Sequence, residues 1–177
     1  MNVRRESGFS LLELLVVIAL IGILLGVAIT RLLPYLDEAE RIGVLTLESQ
    51  IRSTLMVAAA KHIAGGRMDD ISELDGSNPI ATMLEAPGNY VGELTTSQAN
   101  SVPPGHWYFD VKTRRLVYRK GEPYSSIGDR EHMDDPEFQV RVAFADNNGN
   151  GRFEAGTDDL YGVRLQRTAG ADWLAER

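Results

Sequence analysis

The sequence predicts an α+β protein in which one long N-terminal helix, membrane-spanning in its first half, packs on a small antiparallel sheet. Three observations carry this. Residues 14–30 (LLVVIALIGILLGVAIT) run 17 positions without a charge. Val44, Leu47, Ile51, Leu55 and Ala58 then recur at spacings of three and four, the stripe of an amphipathic helix. Downstream, residues 106–120, 138–145 and 161–166 are rich in aromatic and β-branched residues in alternation, the pattern of half-buried strands.

Composition narrows the function classes. A length of 177 residues with 44% apolar content fits one compact core plus an appendage and is too apolar for a disordered chain. Eighteen Lys and Arg against 25 Asp and Glu give a formal charge of −7, which argues against phosphate neutralisation and hence against nucleic acid as the main partner. The absence of cysteine excludes a disulfide scaffold, thiol catalysis and Cys-ligated zinc.

The uncharged run comes first. At ~1.5 Å per residue it covers ~25 Å, and the flanking apolar residues 9–12 and 32–33 extend it to the ~30 Å of a bilayer core. Arg4 and Arg5 precede it, while Asp37, Glu38 and Glu40 follow Arg31, so the Lys/Arg bias places the N-terminus in the cytoplasm and the remainder outside. A cleaved secretory signal would need an apolar core of ~7 to 15 residues and a small-x-small site after it. This core is longer, and TRLLPYLDEAERIGVLTLESQ has no such site.

Glu13 interrupts the apolar start. An acid at mid-helix costs ~2.5 to 3.5 kcal/mol on insertion, less near an end, and calls for a partner. Its neighbours at three and four positions are Ser10, Phe9, Val16 and Val17, none of them basic, so the partner is another group or another chain. One candidate is the α-amino group created by a cut between Gly8 and Phe9. That cut would also remove Arg4 and Arg5.

Arg4-Arg5-Glu6-Ser7-Gly8 followed by Phe9-Ser10-Leu11-Leu12-Glu13 and a long apolar helix resembles the leader and N-terminus of the type IV pilin and type II secretion pseudopilin family. The resemblance implies a pilin-like fold and a structural subunit with no enzymatic activity. It implies that a membrane aspartyl prepilin peptidase cuts after Gly8 and methylates Phe9, and that the Glu13 carboxylate meets the N-terminal amine of a neighbouring subunit during assembly. Implied partners are other pilin or pseudopilin subunits, the peptidase and an inner-membrane assembly platform. The implied location is the inner membrane, crossed once with the C-terminal domain periplasmic, and after assembly a pilus or pseudopilus. The chain then divides into a leader (1–8), a transmembrane segment (9–33), an amphipathic continuation (34–64) and a periplasmic globular domain (65–177). Loss of the leader leaves a charge of −8. The alternative is a plain signal anchor holding a periplasmic calcium-binding or sensor domain permanently in the membrane. The segments NPIATMLEAPGNYVGEL and PPGHWYFDVKTRRLVY resemble minor pilins of the mannose-sensitive haemagglutinin type.

Beyond the membrane segment, Pro34 removes one N–H donor, so a bend is expected there, with Gly22 and Gly26 softening the stretch before it. Thr46, Ser49 and Ser53 lie opposite the apolar stripe, Glu48 and Arg52 stand in the favourable i, i+4 order, and Gly65-Gly66 stops the helix. One helix from Phe9 to about Ala64 follows, roughly 80 Å long. Residues 65–105 read as loops, with a short helix capped by Asn78, opened by Pro79 and covering Ile80 to Glu85. Residues 106–120 read as a hairpin whose Trp107, Phe109, Leu116 and Tyr118 share the core face. In the next strand pair Phe138, Val140, Val142 and Phe144 lie on one side.

Between those last strands lies DNNGNGRFEAGTDD. Asp146, Asn148 and Asn150 offer oxygens at alternate positions, glycine follows, and Arg152 offers its carbonyl, the order of a calcium loop. The position of the bidentate Glu holds Thr157, so Glu154, Asp158 or Asp159 would have to complete a calcium site. A polar Asn/Gly turn is the competing reading. In the resembled family the major secretion pseudopilins bind calcium in a C-terminal loop, and many pilins close that region with a disulfide, which this chain lacks.

His62, His106 and His132 have no paired metal spacing, and no nucleophile elbow, phosphate loop or dinucleotide fingerprint occurs. Glu131, Asp134, Asp135 and Glu137 read as a solvated acidic loop with nothing apolar nearby to raise a carboxylate pKa.

Overall fold

A computed structural model describes residues 10–122 and 133–175. Helix α1 (Leu11–Ala64) is a single element of 54 residues, about 80 Å long. Ser10 caps it, its hydroxyl accepting from the Glu13 N–H at 3.1 Å. The helix passes Pro34 without interruption and ends at Gly65, whose N–H donates to the Lys61 carbonyl at 3.0 Å. Val44, Leu47, Ile51 and Leu55 are buried as the stripe predicts, but its next member is Ala59, not Ala58. Successive steps of four hold the stripe over β-strands that themselves twist.

The sheet has five strands in the order β1-β2-β3-β4-β5: β1 (Tyr90–Leu94), β2 (His106–Asp110), β3 (Arg115–Arg119), β4 (Glu137–Ala145) and β5 (Asp159–Ala169). The expected hairpin is β2–β3, registered Trp107 to Tyr118 and Phe109 to Leu116. The expected second pair is β4–β5, antiparallel from Glu137 opposite Ala169 to Ala145 opposite Asp159, with two irregularities in register.

The sheet is mixed, which corrects the antiparallel expectation at one edge: β1 runs parallel to β2, with Tyr90 opposite Trp107 and Leu94 opposite Asp110. This strand falls in the stretch read as loops. Its burial alternates, but the exposed positions include the apolar Val91 and a buried-side position is Gly92 at φ +120°, so the sequence shows no apolar/polar alternation, and its pairing depends on a return crossover through the short helix α2 (Thr96–Ala99). The short helix expected over 80–85 is a 3₁₀ turn at Pro79–Thr82, with Asn78 Oδ1 accepting from the Ile80 N–H at 3.1 Å. A second 3₁₀ segment, Met68–Leu74, follows α1.

The main core lies between the α1 stripe and one sheet face. Trp107, Phe109, Leu116, Tyr118, Phe138 and Val140 meet the helix there, together with Trp173 and Leu174 from the C-terminal helix α3 (Ala171–Leu174). On the opposite face α2 covers Tyr108 and Val117. A third cluster of Ile71, Val142 and Phe153 sits at the acidic-loop end. At the start of α3 the chain turns through Gly170 at φ +67°, where an added Cβ would stand 2.6 Å from the Pro136 backbone, so only glycine fits.

The acidic segment before β4 is not a solvated loop throughout. Glu137 belongs to β4 and accepts from Arg115 Nη1 at 2.6 Å. Asp135 is half-buried and accepts from the Lys120 N–H at 3.1 Å. Burial pushes its carboxyl above the ordinary range, which the Lys120 hydrogen bond only partly opposes. Glu131 and His132 lie outside the described residues.

Candidate assembly helix and acidic loop

The two halves of α1 meet opposite surroundings. From 37 onward the helix buries side chains against the body, whereas every residue over 10–32 is exposed. The helix contains a stretch long and apolar enough to cross a membrane, with none of that window buried inside the protein. Leu11 is 82% exposed and Ile23 65%. So continuous an apolar surface is far beyond what a soluble monomer tolerates and needs lipid or other helices around it. Glu13 lies within it, and its carboxylate makes no hydrogen bond or ion pair among the described residues. Gly8 and Phe9 lie outside the described residues.

Polar contacts fix the other half of α1 to the sheet. Glu48, whose side chain is 4% exposed, accepts from Arg167 Nη2 of β5 at 2.7 Å and from Arg52 Nη2 at 2.7 Å. Burial alone would raise its carboxyl pKa, but the hydrogen bonds and charges of Arg167 and Arg52 outweigh it and hold it below the ordinary 4.5. Glu40 Oε1 accepts from the Tyr118 hydroxyl and from the Gly121 N–H, both at 2.8 Å. Burial, reinforced by this carboxylate, drives the Tyr118 phenol well above its usual range. Arg41 Nη1 donates to the Leu174 carbonyl at 3.1 Å. The direction in which the exposed apolar segment leaves the body is thereby set by the α1–sheet seam. The spacing of Glu48 and Arg52 indicated a surface pair. Arg167, 119 positions further on, was not visible, although Glu48 borders the buried stripe beside Leu47.

The acidic loop brings together part of the expected oxygen set. Asp146 Oδ1 accepts from the Gly149 N–H at 2.7 Å and the Asn150 N–H at 3.2 Å, and Oδ2 from the Gly151 N–H at 2.8 Å. Asn148 Oδ1 accepts from the Asn150 N–H and Asn150 Oδ1 from the Arg152 N–H, so these three side chains turn into the loop. The closing carboxylates do something else. Asp158 is buried, with Oδ1 accepting from the Asn147 N–H and Oδ2 from the Glu154 N–H, while Glu154 Oε2 accepts from Asn148 Nδ2. Asp159 opens β5 and is exposed. Asp69 Oδ1 braces the loop by accepting from the Ala155 N–H at 2.9 Å. Among the described residues no three of His, Cys, Asp and Glu form a group suited to a metal ion. The fit to calcium is therefore partial: the alternating oxygens are in place, but Asp146 Oδ1 already takes two N–H groups, Asp158 is engaged by amides and the bidentate acid is missing.

The two described histidines, His62 and His106, stay apart. His62 Nδ1 faces Asp70 Oδ2 at 3.6 Å, and His106 Nδ1 lies 2.9 Å from the Pro104 carbonyl.

No solved structure matches the chain. The family described as the prokaryotic N-terminal methylation motif matches residues 3–29, which include Gly8, Phe9, Glu13 and most of the exposed apolar helix. Proteins carrying this motif are structural and not enzymatic. A prokaryotic N-terminal methylation motif thus stands at the head of a long apolar helix packed on a five-stranded sheet, and that motif indicates a prepilin-type substrate of prepilin peptidase.

Proposed function

We propose that the chain is a subunit of a type IV pilus or a type II secretion pseudopilus, cut after Gly8, methylated at Phe9 and polymerised through α1. The observation that supports this best is the fully exposed apolar helix over 10–32, with one acid near its start that has no partner among the described residues. Before assembly lipid covers the helix, with the N-terminus cytoplasmic and the body periplasmic. In the filament, helices of other copies replace the lipid. A new ammonium group at Phe9 would stand one residue before the Ser10 cap, at the positive end of the helix dipole, where a neighbour's Glu13 carboxylate satisfies both the charge and the dipole.

Calcium at the 146–159 loop is a second proposal, supported by the inward-turned oxygens of Asp146, Asn148 and Asn150 and by the need to close this loop without a disulfide. Arg152 would contribute its carbonyl, and Glu154 or Asp159 the remaining oxygens.

The assembly reading is tested with Glu13→Ala. Its subunit should reach the membrane at wild-type level, while the amount recovered in sheared or sedimented filaments falls about tenfold or more, because the pair compensates part of the ~2.5 to 3.5 kcal/mol that an acid costs at mid-helix. Equal filament yield would exclude this role for Glu13. A permanently anchored periplasmic domain would instead give no filaments with either chain and retain Met1.

A further inference from the structure

The acidic loop contains two Asn-Gly steps, Asn148-Gly149 and Asn150-Gly151, and all four residues are exposed. At such a step the asparagine amide carbon and the next backbone nitrogen approach with little hindrance, since glycine carries no Cβ. Gly149 and Gly151 adopt φ +73° and +74° with open space around them. Both N–H groups donate to the Asp146 carboxylate, at 2.7 and 2.8 Å. Each asparagine carbonyl in turn accepts from the backbone two residues on: Asn148 Oδ1 from Asn150 at 3.1 Å, Asn150 Oδ1 from Arg152 at 2.8 Å. A nucleophilic nitrogen, a carboxylate on its proton and a donor on the carbonyl under attack thus occur together.

The geometry points to Asn150 as a site of self-catalysed deamidation, with Asp146 as the base and the Arg152 N–H as the donor that polarises the amide. Gly151 N attacks Asn150 Cγ while its proton passes to Asp146 Oδ2, and the displaced electron pair collects on Oδ1 under the Arg152 N–H. The pair then returns, the Cγ–Nδ2 bond breaks, and Nδ2 leaves as ammonia with the proton that Asp146 gives back. Water opens the resulting five-membered imide at either carbonyl, leaving aspartate or isoaspartate at position 150. One water is consumed, one ammonia is released, and nothing is oxidised or reduced.

Asn148 reacts more slowly for two reasons. Its carbonyl shares the Asn150 N–H with Asp146 Oδ1, at 3.1 and 3.2 Å, so the polarising donor is divided. Its amide nitrogen is held by Glu154 Oε2 at 2.8 Å, whereas Asn150 Nδ2 makes no hydrogen bond among the described residues and is free to leave. The aspartate product adds a carboxylate to the alternating set of Asp146, Asn148 and Asn150, and the isoaspartate product lengthens the loop backbone by a methylene.

The experiment follows the full chain in detergent with chelator present, so that no calcium occupies the Asp146 and Asn150 oxygens, at neutral pH in ¹⁸O-labelled water, with the peptide spanning 146–152 mapped by mass spectrometry over time. Conversion should appear at Asn150 before Asn148. It should run about tenfold or more faster in the folded chain than in the same chain unfolded in urea, below the ~10²–10⁴ of a well-matched base because a carboxylate is a weak base for an amide proton. Folded Asp146→Asn should fall to the rate of the unfolded chain. A folded rate equal to or below the unfolded one would show that the loop protects its asparagines and would overturn the proposal. So would Asn148 reacting first, or Asp146→Asn reacting as fast as wild type. The folded-to-unfolded comparison needs no variant and stands even where Asp146→Asn loosens the loop.

Discussion

Glu48 lies one residue beyond Leu47, with its carboxylate almost sealed between α1 and β5 and both oxygens engaged by Arg167. Its pKa is lowered in the folded chain, so its contribution to stability is fully present above the ordinary 4.5 and is lost as pH falls through that value toward the folded one. Asp135 acts with the opposite sign. Its raised pKa costs stability at neutral pH, and that cost is recovered as pH falls. Glu48→Gln should lower the unfolding free energy at pH 7 by about 1 to 3 kcal/mol and flatten the loss of stability as pH falls below the ordinary 4.5, measured by urea unfolding at pH 7 and at about pH 3. An unchanged acid-side slope would place the acid sensitivity elsewhere. At this scale the sequence was legible where a residue acts on near neighbours, as Asn78 does in capping, although the Ser10 cap was not read from it. It was silent where the partner is distant, as with Arg167 on Glu48 and Tyr118 on Glu40. Asp135 was misread because its burial comes from the fold around it and not from its flanking residues.

Periodicity made α1 and the strands β2 to β5 readable, since each repeats its pattern over enough residues to identify a buried face. The strand β1 has one such period at most, broken by Gly92, and its parallel partner comes later in the chain. The 3₁₀ segments at 68–74 and 79–82 likewise lack any long pattern. The loop at 146–159 was legible as a string of oxygens, but not in the way Asp158 would spend its carboxylate on the Asn147 and Glu154 amides. That difference frames its test. At calcium about ten times a ~0.1 to 1 mM Kd, linkage would add about 1.4 kcal/mol and raise the thermal midpoint by roughly 3 to 5 °C, reversibly with chelator. No shift would leave the loop closed by its own amides alone and remove calcium from the account.

At the scale of the whole molecule, an acidic body and an apolar rod are joined by the polar seam of Glu40, Arg41 and Glu48. The body hides its core on its own. The rod meets no partner among the described residues, and the assembly proposal concerns what covers it. The family signal lies at residues 3–29, so the methylation motif was legible from the start of the sequence. The body, which matches no solved structure, added the fold and the direction of the rod. The most direct measurement is the N-terminal mass of the chain recovered from membranes and from sheared filaments of cells containing prepilin peptidase. The account predicts a chain beginning at methylated Phe9 in the filament fraction, with Met1 to Gly8 absent. An intact Met1 in assembled particles would contradict it.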